Sequence, residues 1–255
     1  DSQGDFGSAT TLDLALDAES GVEYLQHRDD IDAAKIVVMG HSEGGVICNI
    51  LGARIKDLSG IVSLAGTSIR GDSILQIQTR LISKSKNASN TELDITQSYN
   101  KEIFQAIVRS SSPTDAIDEL EKISKKWTKI MYKNDIIKKN EKKDVIHSVN
   151  ETMLNPWMYE FVKYSPSKDI KKINCNVLVI IGSKDIQVTS KENIEGYKNL
   201  LPKNRKLHTV KELKGLNHLF QKCTTCTVSE YGQLEETFSM DAMEEIRDFL
   251  QEIWK

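Results

Sequence analysis

The chain has little cysteine, no long apolar run and no large excess of charge. Four cysteines in 255 residues are too few for a disulfide-stabilised scaffold, so a reduced compartment such as the cytoplasm is the default expectation. No apolar stretch approaches the roughly 20 residues of a membrane-spanning helix, and the first residues do not resemble a leader, although any signal could lie upstream of them. A net charge of -3 gives no reason to expect nucleic-acid binding.

Cys223 and Cys226 form the single C-x-x-C of the chain. A structural zinc site would need a second ligand pair, which the sequence lacks, and a redox motif would need a thioredoxin-like context. We therefore expect two ordinary loop cysteines or an incidental disulfide, and neither a metal nor a cofactor.

The strongest motif is GHSEGG at 40–45, which contains G-x-S-x-G with Ser42 at its centre. A predicted strand precedes the motif and a predicted helix follows it. A serine on such a sharp turn exposes its hydroxyl, and the residues two before and two after must be small to avoid the neighbouring strand and helix. This context favours a nucleophilic serine over a chance match, which is common for so short a motif.

Hydrophobic periodicity predicts an α/β fold with a mostly parallel sheet and flanking helices, because short apolar runs alternate with helical patterns. The predicted strands are 36–39, 60–65, 176–181 and 206–213. The predicted helices of this part are 12–27, 46–55, 191–201 and 240–254.

The strand pattern disappears over 67–168, which we interpret as a helical lid inserted between core segments 1–66 and 169–255. Its predicted helices are 73–81, 92–109, 116–132 and 152–164. Residues 122–143 are rich in lysine, but interspersed acidic residues favour a solvated helix face over a patch for an acidic lipid or an anionic substrate.

A serine hydroxyl needs a base to take its proton and a carboxylate to orient that base. Asp185 follows one predicted strand and His218 lies in the loop after the next, at the sheet edge where ligands bind in open α/β folds. The order serine, acid, histidine is that of α/β-hydrolases. Asp185 could instead simply cap its turn.

The other four histidines fit the role of the base less well. His27 ends a helix ahead of the serine, and His41 is expected to pack within the motif. His147 lies in the lysine-rich stretch, and His208 begins a strand at the wrong side of the sheet.

One donor of an oxyanion hole is expected to be the backbone N–H of Glu43, the residue after the serine. The second should come from a loop after an earlier strand. One loop and one helix precede the strand at 36–39, so the first strands of such a fold and the second donor are absent from this sequence.

Six stretches spread along the chain carry a family resemblance: GHSEGG (40–45), LAGTSIRG (64–71), NPW (155–157), GSKDIQV (182–188), LNHLFQ (216–221) and EYG (230–232). With these the chain resembles the carboxy-terminal two-thirds of bacterial α/β-hydrolases of the esterase and serine-peptidase type, near the dienelactone hydrolase and serine aminopeptidase groups. The resemblance implies Ser42 as nucleophile, Asp185 as acid and His218 as base. In such relatives a strand with an Arg-Gly-rich turn precedes the stretch at 1–9, and that turn is absent here.

The resemblance further implies hydrolysis of a small-molecule acyl ester through an acyl-enzyme, with peptide or thioester cleavage as variants. The insertion would roof the site, and Trp157, Met158 and Phe161 could line the acyl pocket, although plain core packing is the alternative. A different class is a non-catalytic interaction module whose open sheet edge is covered by a missing N-terminal segment or by another chain.

Overall fold

The computed structural model describes residues 6–203 and 206–255, so residues 1–5 of the predicted N-terminal loop lie outside the description. The chain divides into two compact units. The sheet unit comprises Thr11–Arg70 and Ser165–Lys255, and the helical unit comprises Gly71–Tyr164 with the described part of Asp1–Thr10.

Helices and strands are numbered separately in chain order. The helices are α1 (Thr11–Gln26), α2 (Glu43–Arg54), α3 (Gly71–Ser85), α4 (Asn90–Arg109), α5 (Pro113–Lys133), α6 (Lys142–Met153), α7 (Pro156–Lys163), α8 (Ser167–Ile170), α9 (Ser190–Leu200) and α10 (Met240–Ile253). The strands are β1 (Val37–His41), β2 (Gly60–Leu64), β3 (Asn176–Gly182) and β4 (His208–Leu213). Short 3-10 turns lie at Phe6–Ser8, Ala33–Lys35, Lys139–Glu141 and Val228–Gln233.

The sheet has the order β1-β2-β3-β4 with every neighbouring pair parallel, which confirms the predicted α/β class. β2 is buried throughout, and β3 is buried at every position after Asn176. This burial explains why these strands are continuous apolar runs rather than alternating ones, since helices cover both faces of such a sheet. Because all strands run the same way, their carboxyl ends and the loops after them share one edge.

α10 covers part of the sheet through a compact apolar core. Phe249 of α10 and Phe220 of the loop after β4 join Leu64, Leu178 and other buried side chains of the strands in this cluster. Phe220 is completely buried, so the loop that contains His218 is fixed to the core by its neighbour two positions on.

β1 forms the outer strand, because within the described residues β2 is its one pairing partner. Met39 of β1 is 56% exposed. An apolar cavity of about 640 Å³ lies beside it, lined by Met39, Leu64, Phe238, Met243, Ile246, Arg247, Leu250, Gln251 and Trp254.

In the helical unit, side-chain caps define several helix starts. Ser89 and Ser112 accept N–H groups at the beginnings of α4 and α5, and Asn155 does so at α7, where Pro156 occupies the first turn. The predicted helix at 152–164 is wrong in its first part, because α6 ends at Met153 and Asn155 caps a new helix.

α6 itself is missing from the sequence prediction. It has no buried residue, although its Val149 and Met153 pack partly against the core of the helical unit. Val145, Ile146, Val149 and Met153 are the apolar residues of α6, a pattern too short to stand out directly after the lysine-rich stretch at 122–143. None of the described helices combines the length and the apolar character needed to cross a membrane.

Candidate active site

Ser42 lies at the turn between β1 and α2 with φ 57° and ψ −114°. A non-glycine residue with positive φ in this region is strained, and such strain occurs preferentially at functional sites. The N–H of Ser42 donates to the carbonyl of Leu64 at 2.8 Å, which joins the turn to the end of β2. The Ser42 hydroxyl does not cap α2. The turn therefore has the geometry of a nucleophile elbow.

The glycines around Ser42 have unequal roles. A Cβ at Gly40 would collide with the backbone of Gly44, and a Cβ at Gly45 would lie 2.7 Å from Cα of Gly66. A Cβ at Gly44 would meet nothing within 4 Å. The prediction that the residue two after the serine must be small is therefore wrong for steric reasons here; the close approach of α2 to the loop after β2 falls on Gly45.

Asp185 lies in the turn that follows β3, with its side chain fully buried. Its Oδ1 accepts the N–H groups of Gln187 and Val188, each at 2.8 Å. Its Oδ2 lies 2.7 Å from Nδ1 of His218. One carboxylate oxygen thus fixes the carboxylate to its own turn, and the other is available to orient the histidine.

His218 lies in the loop after β4 and is 4% exposed. Since Nδ1 faces a carboxylate, Nδ1 carries the proton in the neutral ring, and Nε2 keeps a lone pair that can accept one. Asn217 shapes the loop, because its Oδ1 accepts the N–H groups of Leu219 and Gln221 at 2.9 and 3.0 Å. His218 is therefore held from its ring and from its backbone.

The structure brings Asp185 and His218 together, whereas the Ser42 hydroxyl makes no hydrogen bond within the described part of the chain. The neighbour of the serine makes the connection instead. His41 Nε2 donates to the carbonyl of His218 at 2.8 Å, and the two imidazole centroids are 4.6 Å apart. Sequence reasoning gave His41 a packing role, and its position beside the serine was the sole signal that could have shown more.

Two glutamines also belong to this edge and were missed. Gln187 Nε2 donates to the hydroxyl of Tyr231 at 3.2 Å. Gln221 Nε2 donates to the carbonyls of Tyr231 and Glu236, so the loop of His218 is tied to the segment that follows it. Both glutamines lie in stretches that carry the family resemblance, but those stretches do not show the partners, which lie 44 residues away for Gln187 and 10 and 15 residues away for Gln221.

Glu43 is the first residue of α2, so its backbone N–H lies at the positive end of that helix, as an oxyanion donor requires. Its side chain accepts the hydroxyl proton of Thr11 at 2.6 Å. Thr11 begins α1, so this contact joins α1 to the start of α2. The role of Glu43 as an oxyanion donor stays a prediction.

Trp157, Met158 and Phe161 all lie on α7 of the helical unit. The rings of Trp157 and Phe161 stack with centroids 5.2 Å apart, and Met158 packs against the core of that unit. The structure thus gives them a packing role within α7 and its surroundings, and their predicted role in an acyl pocket stays a prediction.

Cys223 and Cys226 form a disulfide immediately after the loop of His218, while Cys48 and Cys175 are free and buried. The two bonded sulfurs and Glu230 are the one group of possible metal ligands in the described residues. The Glu230 carboxylate already accepts the N–H groups of Thr225 and Cys226, at 3.0 and 2.6 Å. With its sulfurs bonded to each other, this group offers no metal site in its present form.

Reduction of the disulfide is expected to lower the free energy of unfolding by no more than about 2 kcal/mol, because it closes a very short loop with a sequence separation of 3. Thermal unfolding with and without dithiothreitol measures this. The double variant Cys223→Ser, Cys226→Ser should be insensitive to the reductant. An equal effect of dithiothreitol on this variant would contradict the assignment to these two cysteines.

The chain matches a known protein family over most of its length. Residues 18–214 match the family described as BAAT / acyl-CoA thioester hydrolase C terminal. A search of curated proteins gives no match.

Solved structures similar to this chain include proline iminopeptidase from Mycobacterium smegmatis, at 14% identity and TM-score 0.50 over 99% of this chain and 74% of that one. Acetyl xylan esterase 1 from Thermoanaerobacterium sp. JW/SL YS485 is also 14% identical, with TM-score 0.48 over 95% of this chain and 53% of that one. The chain therefore spans about half the length of that esterase. At such identities the likeness concerns the fold alone. By its family match over more than half its length, and in agreement with the resemblance seen in the sequence, the chain belongs to the BAAT / acyl-CoA thioester hydrolase C-terminal family of the α/β-hydrolase superfamily.

Proposed function

We propose that the chain is a serine hydrolase that cleaves carboxylic esters through an acyl-enzyme on Ser42. The observation that carries this proposal is the buried pair of Asp185 Oδ2 and His218 Nδ1, 2.7 Å apart, at the same sheet edge as a strained serine. Membership of a hydrolase family supports the same reaction class.

In the proposed mechanism His218 Nε2 takes the proton of the Ser42 hydroxyl as the oxygen attacks the acyl carbonyl. Asp185 stabilises the imidazolium that forms. The carbonyl oxygen becomes an oxyanion near the N–H of Glu43. Collapse breaks the bond to the leaving alcohol, which receives the proton from His218. Water then attacks the acyl-enzyme with His218 as base again, releasing the acid and restoring the serine.

A thioester is the second candidate substrate, and the description of the matched family favours it. Thiolates leave more easily than alkoxides, so the same groups could cleave either bond. We propose further that Trp157, Met158 and Phe161 recognise the acyl group.

The test uses a fluorophosphonate probe that labels activated serines, followed by assays with p-nitrophenyl esters and acyl-CoA thioesters of matched acyl length. Labelling at Ser42, located by peptide mass spectrometry, is expected, with turnover of at least one substrate series. A folded protein that neither reacts with the probe nor hydrolyses any substrate would contradict the proposal. Faster turnover of the thioesters would assign the second candidate.

Among the described residues β1 pairs with β2 alone, and this open edge supports a function of another class, in which the chain is a non-catalytic interaction module. Unpaired strand edges must be covered, and Met39 and the apolar cavity beside it extend this open surface. A further segment of a longer polypeptide, or another chain, would pair with this edge and cover the apolar surface. Light scattering over a concentration series should then show self-association that Met39→Lys weakens; a monomeric, folded and ester-cleaving protein would contradict this alternative.

A further inference from the structure

His41 makes a contact that its position beside the nucleophile does not by itself explain. Its Nε2 lies 2.8 Å from the backbone carbonyl oxygen of His218, a residue 177 positions further along the chain. A carbonyl oxygen can only accept, so Nε2 of His41 must carry a proton. The imidazole planes of His41 and His218 are inclined at 53°, so the two rings are tilted rather than stacked beside this hydrogen bond.

This hydrogen bond joins the turn of Ser42 to the loop of His218. The proposed mechanism requires the Ser42 hydroxyl and His218 Nε2 to lie close together. The elbow is fixed on one side by the N–H of Ser42, which donates to Leu64. The loop of the base is fixed on its other side by Asp185 and by Asn217. The hydrogen bond from His41 runs directly from the elbow to the residue that acts as base.

The ring is suited to a fixed, neutral donor. Burial lowers the pKa of His41, and the neighbouring His218 acts in the same direction, although the hydrogen bond to the His218 carbonyl and the charge of Asp185 oppose this. A neutral ring with its proton on Nε2 donates one hydrogen bond without placing a second charge beside the imidazolium that His218 forms during catalysis.

We infer that His41 is a positioning residue that sets the distance between the Ser42 hydroxyl and His218 Nε2 by holding the backbone of the base; this inference rests on the proposed function. The hydrogen bond of His41 goes to the backbone of His218 rather than to an atom whose bonds change in the reaction. Its contribution comes through the position of the His218 backbone, and a displacement of about 1 Å between reacting groups can cost about 100-fold in rate.

The alternative is that His41 simply fills space beside Phe220, whose ring lies 6.2 Å away edge-on. Two substitutions separate these roles. His41→Phe keeps an aromatic ring and removes the donor. His41→Gln removes the ring and keeps an N–H donor, because Nε2 of glutamine is as many bonds from Cα as Nε2 of histidine.

The experiment compares both variants with the unmodified protein for ester hydrolysis. We expect His41→Phe to lower kcat by about 10- to 100-fold with KM within about threefold, and His41→Gln to stay within about threefold of the unmodified kcat. The matched control is His27→Phe, since Nδ1 of His27 also donates to a backbone carbonyl, that of Glu23, at the exposed end of α1. It should leave both constants unchanged.

Hydrogen–deuterium exchange of the peptide covering 216–222 gives a readout that does not depend on activity. Exchange should be faster in His41→Phe and unchanged in His41→Gln. If Ser42 reacts with the fluorophosphonate probe but both variants keep the kcat of the unmodified protein, the inference is overturned and the proposed function stands. If Ser42 does not react, the proposed function fails, and equal exchange in all variants would then overturn the positional role as well.

Discussion

Ser42→Ala is expected to abolish labelling by the fluorophosphonate probe and to lower kcat for ester hydrolysis by at least about 10⁴-fold. The oxygen that forms the acyl-enzyme is lost, and no other group of the elbow can replace it in the proposed mechanism. Labelling and steady-state hydrolysis measure the two effects. Ser20→Ala is the control, because the Ser20 hydroxyl donates to a carbonyl within the exposed face of α1. Full activity of Ser42→Ala would refute the assignment of the nucleophile.

The same position allows a stability measurement. Ser42 has φ 57° and its hydroxyl does not cap α2, so the side chain contributes strain to the folded state without a compensating cap. Ser42→Gly should therefore be inactive and more stable than the unmodified protein by about 1 kcal/mol, measured by urea unfolding. A loss of stability in Ser42→Gly would show that the conformation of the elbow is not strained.

Asp185→Asn is expected to lower kcat by about 10⁴-fold while the protein stays folded. Oδ1 of Asp185 accepts two backbone N–H groups, from Gln187 and Val188, so the carbonyl oxygen of an asparagine would take this position. Its NH₂ group would then face Nδ1 of His218 and donate to it. Nδ1 could no longer carry the proton, and the proton would move to Nε2, where it blocks acceptance from Ser42.

Steady-state kinetics and thermal unfolding measure this effect. Asp57→Asn, which removes an exposed carboxylate from the loop between α2 and β2, is the matched control and should keep full activity. If Asp185→Asn retained activity within about tenfold, orientation of the base by this carboxylate would be refuted.

Local sequence was a good guide wherever structure depends on neighbouring residues. The four strands were predicted with small errors at their ends, and β2 and β3 stood out because buried parallel strands are continuous runs of apolar residues. The strand predicted to begin at 206 begins instead at His208. α6 was missed because its apolar residues are few and directly follow the lysine-rich stretch, and the single helix predicted at 152–164 ignored the cap at Asn155.

The candidate site also has a part that local sequence predicts and a part that it does not. The serine on its turn, and the order of serine, acid and histidine, were readable from motifs and from the positions of loops after strands. The hydrogen bond from His41 to the loop of His218 could not be predicted from the sequence. Its acceptor is 177 residues away and is a backbone carbonyl, a group that every residue has. The hydrogen bonds from Gln221 to Tyr231 and Glu236 were not predicted either, because their acceptors are also backbone carbonyls.

By itself the sequence determined the class of the fold and predicted the turn at Ser42 and the roles of Asp185 and His218, because apolar periodicity, small residues at a turn and chain order are all local or linear properties. The tertiary structure decided the distances: the 2.7 Å between Asp185 and His218, the hydrogen bond from His41, and the need for glycine at 45 rather than 44. Such contacts arise when strands distant in sequence end at one edge of a parallel sheet, and packing of the whole sheet unit fixes how closely their loops approach.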